Sequence, residues 1–168
     1  MQEKKTTNPD DFLDVFSVPA RGRLVALDPG TKRVGVAVSD ELQFTVRPLK
    51  TIERGSWKKL LLQIKEILAE LDAVGLVLGL PLETDGSESP MSLEARRLAR
   101  NFSLSLDLPV RLHDERVTSY EARGRLWREG VSEKDLRKRI DSEAAALILQ
   151  DFIDFRNQKL RDRDRAAG

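Results

Sequence analysis

Acidic residues lie at the ends of predicted strands and at the start of a predicted helix. Asp28 ends the first apolar run, Asp114 and Glu115 follow the run "PVRLH", and Asp141 precedes the run "SEAAALIL". In mixed sheets, functional sites gather where strand ends and helix starts converge. Two carboxylates about 4 Å apart repel by roughly 4 kcal/mol at an effective dielectric of about 20, so a converging cluster requires either a bound cation or raised carboxyl pKa values. Two divalent ions there would activate a water and stabilise the leaving oxygen of a phosphodiester.

Each of these acidic residues also has an ordinary structural interpretation. Asp28 precedes a Pro-Gly pair and is typical of a turn aspartate that accepts backbone hydrogen bonds. Asp114 and Glu115 fit a solvated strand end that leads into a helix. Asp141 is a good candidate for a helix N-cap, and a capping aspartate can still face a metal. The residues taken one at a time leave both interpretations open.

Composition limits the chemistry that is available. The chain has 168 residues, which suggests one domain, and its 29 basic and 28 acidic side chains nearly cancel. It has no cysteine and one histidine, His113, which excludes disulfides, cysteine nucleophiles and zinc sites built on thiolates or several imidazoles. Carboxylates must therefore hold any catalytic metal, and oxygen ligands favour Mg²⁺ or Mn²⁺. Without an apolar run of ~20 residues or a signal-like N-terminus, we expect a cytoplasmic protein with no membrane partner.

Apolar periodicity predicts the sheet that positions these residues. An antiparallel β-meander is followed by α/β units, in the order β-β-β-α-β-α-β-α-α. This order predicts an α/β fold with a five-stranded mixed sheet and helices on both faces. The third strand contains Pro48, which indicates an edge or a bulge. The predicted strands are 23–28, 33–39, 44–52, 73–80 and 109–113. The first predicted helix follows an N-cap at Ser56. The other three predicted helices run from about 92 to 106, from 118 to 128 and from 141 to 155.

The chain divides into three predicted parts. Residues 1–22 are polar and mixed in charge, and we interpret them as a flexible N-terminal extension. Residues 23–156 form the predicted folded domain. Residues 157–168 are a charged C-terminal tail that we expect to fray.

Four motifs in a fixed order connect the sequence with a known family. They are "ALDPGTKRVGVAVSD" at 26–40, "VLGLPLETDG" at 77–86, "HDERVTSYEA" at 113–122 and "DSEAAALILQDF" at 141–152. Together they resemble the YqgF family of nucleases that process the precursor of 16S ribosomal RNA. That family is similar in fold to Holliday junction resolvases and ribonuclease H. The resemblance implies that residues 23–156 are a ribonuclease H-like nuclease domain.

The resemblance also implies roles for individual residues. Asp28, Glu115 and Asp141 match the catalytic, metal-binding carboxylates of the family, and Asp114 is an alternate for Glu115. The implied activity is Mg²⁺- or Mn²⁺-dependent hydrolysis of phosphodiester bonds, in 5′-end maturation of pre-16S rRNA during ribosome biogenesis. Two alternatives stay open: a Holliday junction resolvase in DNA recombination and repair, and a non-catalytic nucleic-acid-binding module.

Basic residues cluster near the proposed carboxylates. Residues 116–139 contain eight basic and four acidic side chains, a local excess that could neutralise phosphates. The alternative is a solvated helix face with mixed ion pairs. Arg96, Arg97 and Arg100 could extend such a groove. We expect a monomer or weak homodimer that binds structured RNA or branched DNA, with ribosomal precursor particles as further partners. The predicted substrate-binding residues are Lys32, Arg33, Arg116, Thr118, Arg137, Lys138 and Arg139.

Overall fold

The computed structural model describes residues 12–114 and 133–168, and for 133–140 it describes the backbone alone. The predicted helix at 118–128 lies outside the described residues. Three α-helices are present in the described part of the chain: α1 (Trp57–Glu70), α2 (Pro90–Ser105) and α3 (Glu133–Ala167). The strands are β1 (Leu24–Pro29), β2 (Arg33–Ser39), β3 (Val46–Pro48), β4 (Ile52–Glu53), β5 (Gly75–Leu80) and β6 (Val110–Asp114).

The strands form one mixed sheet in the order β3-β2-β1-β5-β6, with β4 also paired to β2. β1 is antiparallel to β2 and parallel to β5, and β5 is parallel to β6. The predicted mixed sheet is thereby confirmed, but the single strand expected over 44–52 is two strands. Pro48 ends β3 because proline has no N–H to donate, and the chain rejoins β2 only at Ile52.

Helices cover both faces of the sheet, as predicted. Val25 and Leu27 of β1 pack in the core formed with α1 and α2. Leu24 and Ala26, at the alternate positions, pack against Ile148, Leu149 and Phe152 of α3 on the other face. Because strand side chains alternate between faces, every residue of β1 can be assigned to one side of the sheet. The two sides are called the α1/α2 face and the α3 face below.

Helix α3 is longer than predicted at both ends. It begins at Glu133 and continues to Ala167, whereas the sequence predicted a start at Asp141 and an end near 155. Asp141 is therefore inside the helix, and its prediction as an N-cap was wrong. The charged residues on both sides of the apolar run are mostly good helix formers, and they extend the helix without contributing to the apolar pattern. No helix in the described ranges is both long and apolar enough to cross a bilayer.

The segment before β1 packs against the domain from residue 12 onward. Phe12, Val15 and Val18 are buried, and Val15 belongs to a 3-10 turn at Val15–Ser17. Arg111 Nε on β6 donates to the Asp14 carbonyl at 2.8 Å and to Ser17 Oγ at 2.7 Å. Residues 12–22 are thus part of the packed structure and do not form a separate extension. The division of the chain into extension, domain and tail otherwise stays a prediction.

A buried arginine joins α3 to the start of the domain. Arg156 is only 2% exposed, and burial lowers the pKa of its guanidinium. Its Nη1 donates to the Pro19 carbonyl at 3.2 Å, and its Nη2 donates to Gln43 Oε1 at 2.5 Å. Gln43 has a positive φ of 58° and donates from Nε2 to the carbonyls of Pro19 and Gly22, both at 2.9 Å. The side chains of Arg156 and Gln43 therefore tie three chain segments together.

Candidate functional site

The β1–β2 hairpin fixes the position of Asp28. Asp28 is half-buried near the end of β1 and pairs with Gly35 on β2. Leu24 and Ala26 on the same strand pack on the α3 face, and the two-residue alternation places Asp28 on that face as well. Residues that lie directly opposite on antiparallel strands project to the same side of the sheet. The Cβ direction of Gly35 therefore also marks the side on which Asp28 projects.

Gly35 lets the backbone of α3 touch the sheet at this point. A Cβ built on Gly35 would lie 1.9 Å from the carbonyl oxygen of Asp141 and 2.8 Å from the amide nitrogen of Ser142. No side chain fits in that space, so glycine is required for the close approach. The contact places Asp141 directly over the strand partner of Asp28. Two of the three carboxylates predicted from the sequence thus lie on one face of the sheet, on adjoining elements.

Ser142 anchors α3 on the strand next to Asp28. Its hydroxyl is buried, accepts the Val36 N–H at 3.3 Å and lies 3.0 Å from Thr51 Oγ1. Val36 is paired with Leu27 of β1 on one side, and on its other side it faces the gap between β3 and β4. Ser142 therefore satisfies a backbone donor that the interrupted sheet edge leaves without a ladder partner. Sequence reasoning assigned no role to Ser142 or Thr51, although Pro48 was a signal that the strand would break.

Arg33 holds the Asp141 carboxylate from the hairpin side. Its Nε donates to Asp141 Oδ2 at 3.0 Å, and the side chains are 43% and 24% exposed respectively. Arg33 is the first residue of β2, on the same side of the strand as Gly35 and Ala37, and Ala37 packs against Ala145 of α3. The Asp141 carboxylate is thus already in contact with a cationic side chain.

The hairpin turn that carries Lys32 and Arg33 is anchored to α2. The Gly30 N–H donates to the Arg33 carbonyl at 2.9 Å. Arg54 Nη1 donates to the Gly30 carbonyl at 3.0 Å, and the Arg54 backbone N–H donates to the Lys32 carbonyl at 2.9 Å. Arg54 also pairs with Glu94 of α2. Hydrogen bonds from Arg97 and then Arg54 lower the pKa of Glu94 to about 2. This network fixes the turn, so that Lys32 projects from it as an exposed lysine.

Strand β6 ends at Asp114, at the same end of the sheet as Asp28. Val110 and Leu112 pack on the α1/α2 face, so alternation assigns Asp114 to that face, opposite Asp28. Asp114 therefore lies on the other side of the sheet from Asp28 and Asp141. Glu115, the next residue, lies outside the described residues.

His113 is a packing residue in this structure. Its ring meets Phe152 of α3 edge-on and Phe155 at a tilt, with centroid distances of 6.0 and 6.2 Å respectively. Burial lowers the pKa of His113, and the negative charge of Asp114 opposes part of that shift. The neutral imidazole is therefore favoured, in agreement with a structural role.

Several of the predicted site residues that the structure describes lie together. Asp28, Asp141 and Arg33 lie on the α3 face, and Lys32 is in the adjoining turn. In residues 12–114 and 141–168, no three histidine, cysteine or acidic side chains form a group that could hold a metal by themselves. The remaining predicted site residues, or their side chains, lie outside the described part: Glu115, Arg116, Thr118, Arg137, Lys138 and Arg139.

Arg96 and Arg97 of α2 both form ion pairs with nearby glutamates. Arg96 pairs with Glu88 at 2.6 Å and Arg97 pairs with Glu94 at 2.7 Å. Helix α2 also packs on the α1/α2 face, away from Asp28 and Asp141. The interpretation as a solvated helix face with mixed ion pairs therefore holds for these two arginines.

Comparisons with known proteins agree with this architecture. A family model described as "RuvX: Holliday junction resolvase" matches residues 22–155. A protein from Anaeromyxobacter dehalogenans (strain 2CP-C) is 41% identical over 134 residues, covering 80% of this chain and 98% of its own length. A protein from Cereibacter sphaeroides (strain ATCC 17029) is 43% identical over 145 residues, covering 86% and 89%. Both are named "Putative pre-16S rRNA nuclease".

A solved structure supports the fold independently of these sequence matches. The yeast mitochondrial Holliday junction resolvase Ydc2 superimposes with a TM-score of 0.50 at 14% identity, covering 89% of this chain and 85% of the resolvase. This similarity concerns the fold alone. The family match and the identities over most of the chain confirm the relationship that the four motifs predicted: this chain belongs to the RuvX (YqgF) family of nucleases and has their resolvase-like, ribonuclease H-like fold.

Proposed function

We propose that this protein is a divalent-metal-dependent endonuclease that hydrolyses phosphodiester bonds in structured RNA during 5′-end maturation of pre-16S rRNA. The main observation in support is the contact of α3 with Gly35, which puts Asp28 and Asp141 on one face of the sheet. A turn aspartate and a capping aspartate would not require that closeness. The relatives' names favour a ribosomal RNA substrate over DNA.

The residues present fit a hard divalent cation. The two described carboxylates supply only oxygen donors, as Mg²⁺ and Mn²⁺ prefer. The Asp141 carboxylate accepts a hydrogen bond from a guanidinium, so it already faces a cationic group. In this proposal Asp28, Asp141 and Glu115 hold the metal, and the family resemblance supplies the third of these. A metal bound there would activate the attacking water and stabilise the leaving oxygen.

The chain itself contributes position and charge. Asp28 is held by strand pairing, and Asp141 is held by Gly35 and by the buried Ser142 hydroxyl. Both carboxylates therefore project from packed elements, which limits their motion during the reaction. In this proposal Lys32 and Arg33 project from the anchored hairpin turn and bind phosphates beside the scissile bond.

Nuclease assays on Asp28→Asn and Asp141→Asn test this proposal. Each variant removes one charge and nearly preserves side-chain shape, so we expect cleavage of a pre-16S 5′-leader RNA to fall by ~100-fold or more in Mg²⁺ or Mn²⁺. Asp154→Asn is the matched control, because Asp154 is an exposed aspartate farther along the same helix. Wild-type cleavage by folded Asp28→Asn and Asp141→Asn would contradict the proposal. RNA binding without cleavage by any form would instead favour the non-catalytic module.

A Holliday junction resolvase is the second candidate, because the matching family model carries that description. Symmetric cleavage of a four-way junction requires a two-fold dimer. The discriminating experiment compares cleavage of the leader RNA with cleavage of a four-way DNA junction, and measures the mass of the protein on each. Paired cuts by a dimer would favour the resolvase, whereas RNA cleavage by a monomer would favour ribosomal RNA maturation. The cytoplasmic location and the association with precursor ribosomal particles stay predictions.

A further inference from the structure

The ion pair between Arg33 and Asp141 is not needed to hold the hairpin in place. The Arg33 backbone is already paired with Glu53 of β4, and its carbonyl accepts the Gly30 N–H. Helix α3 is already held by Gly35 and Ser142. With the Arg33 side chain 43% exposed, the pair contributes little to stability, because solvent screens it. Its position at a proposed metal ligand therefore suggests a different role.

We propose that Arg33 is an internal counter-ion that occupies Asp141 in the metal-free protein and moves to the substrate phosphate when a divalent cation binds. This inference rests on the proposed function, because it takes Asp141 to be a metal ligand. The guanidinium and the metal compete for one carboxylate and repel each other at short range. Metal binding therefore displaces the side chain, while the anchored backbone keeps it beside the site.

Arginine suits this exchange better than lysine does. The guanidinium has five N–H donors in a planar fork, and Nε is the atom that donates to Asp141 Oδ2. After release, the same fork matches two oxygens of one phosphate. The exchange thus couples the two requirements of the reaction: the protein gains its phosphate-binding side chain only when the carboxylate has taken up a cation. Unproductive RNA binding by the metal-free protein is reduced accordingly.

Metal affinity without RNA provides a direct test. Mn²⁺ is titrated into wild type, Arg33→Gln, Lys32→Gln and Asp141→Asn, with calorimetry as the readout. We expect Arg33→Gln to bind Mn²⁺ about fivefold more tightly than wild type, the upper end of what an exposed ion pair contributes. Lys32→Gln is the matched control, because it also removes one positive charge, at the neighbouring residue. We expect it to change Mn²⁺ affinity less than Arg33→Gln does, and this smaller change measures the effect of net charge without the ion pair.

A side-chain signal then follows the exchange itself. The ¹⁵Nε resonance of Arg33 should shift when diamagnetic Mg²⁺ is added to wild type, as the hydrogen bond to Asp141 is lost. In Asp141→Asn the same addition should leave it unchanged. RNA affinity should rise on addition of Ca²⁺, used as a non-cleaving substitute, in wild type, and this increase should disappear in Arg33→Gln.

The possible failures are distinguishable. Equal Mn²⁺ affinity in Arg33→Gln and Lys32→Gln, with loss of binding in Asp141→Asn, would overturn the exchange and leave the nuclease proposal intact. Undiminished Mn²⁺ binding in Asp141→Asn would overturn the metal site, and the exchange with it. Weaker Mn²⁺ binding in Arg33→Gln would show that Arg33 supports the site and does not compete for it.

Discussion

Gly35→Ala tests whether the contact between α3 and the sheet positions the site. The added Cβ would lie 1.9 Å from the Asp141 carbonyl oxygen, whereas real Cβ contacts are essentially never under 3.0 Å. The nearest atoms belong to backbone and cannot rotate away. Relief therefore requires α3 to move from β2 by ~1 Å or more, and a misplacement of that size in a catalytic group can reduce the rate by ~100-fold.

The same movement should weaken the attachment of α3. The Val36–Ser142 hydrogen bond is already long at 3.3 Å and would be lost. Overpacking of this kind destabilises by about 1–3 kcal/mol, so the variant should still fold, because the core on the α1/α2 face is left intact. We therefore expect a protein that still folds but has a lower free energy of unfolding. Its cleavage rate should fall much more than the small fraction of unfolded protein can explain.

Kinetics and stability must be measured on the same preparations. Cleavage of the leader RNA at concentrations well below KM gives kcat/KM. Urea unfolding, monitored by circular dichroism, gives the free energy of unfolding. Gly55→Ala is the control, because the Cβ there meets only the flexible Lys59 side chain at 3.3 Å. A Gly35→Ala protein that cleaves within a few-fold of wild type would refute the argument that this contact sets the position of Asp141.

Three further predictions concern stability. Ser142→Ala leaves the buried Val36 N–H without its hydroxyl acceptor, and urea unfolding should show a loss of about 1–3 kcal/mol. Burial lowers the pKa of His113 below its ordinary value of 6.5, so the unfolded chain takes up the proton first as the pH falls. The free energy of unfolding should therefore decrease as the pH drops below about 6.5. His113→Phe should remove this decrease when denaturation is measured at several pH values. The pKa of Glu94 is lowered from 4.5 to about 2, so its contribution to stability is present above pH 4.5 and is lost as the pH falls toward 2. Glu94→Gln should lower the free energy of unfolding by about 1–3 kcal/mol at pH 7. This difference from wild type should shrink when unfolding is measured below pH 4.5.

Local patterns were sufficient to predict the sheet and the family. The two-residue alternation and the buried run at 73–80 identified strands that the structure confirms, because burial on one or both faces leaves a direct imprint on residue type. The motifs identified the family because four of them occur in a fixed order over most of the chain. The mixed topology followed from the order of these elements.

Contacts between distant segments could not be read from the sequence. Nothing local indicates that Arg33 meets Asp141, since 108 residues separate them. The helical position of Asp141 was missed because the charged residues before it carry no apolar pattern. Gly35 was recognised only as a glycine that permits close approach; the approaching backbone became known from the three-dimensional structure.

The bond between Arg156 and the Pro19 carbonyl has a consequence for the timing of folding during synthesis. Residue 156 leaves the ribosome 137 residues after residue 19, a delay of about 7–27 s at 5–20 residues per second. Until then the Gln43 turn, with its positive φ, lacks the guanidinium that holds its side chain. The β1–β2 hairpin can form early, but the nascent chain can close this end of the domain only after residue 156 has been translated.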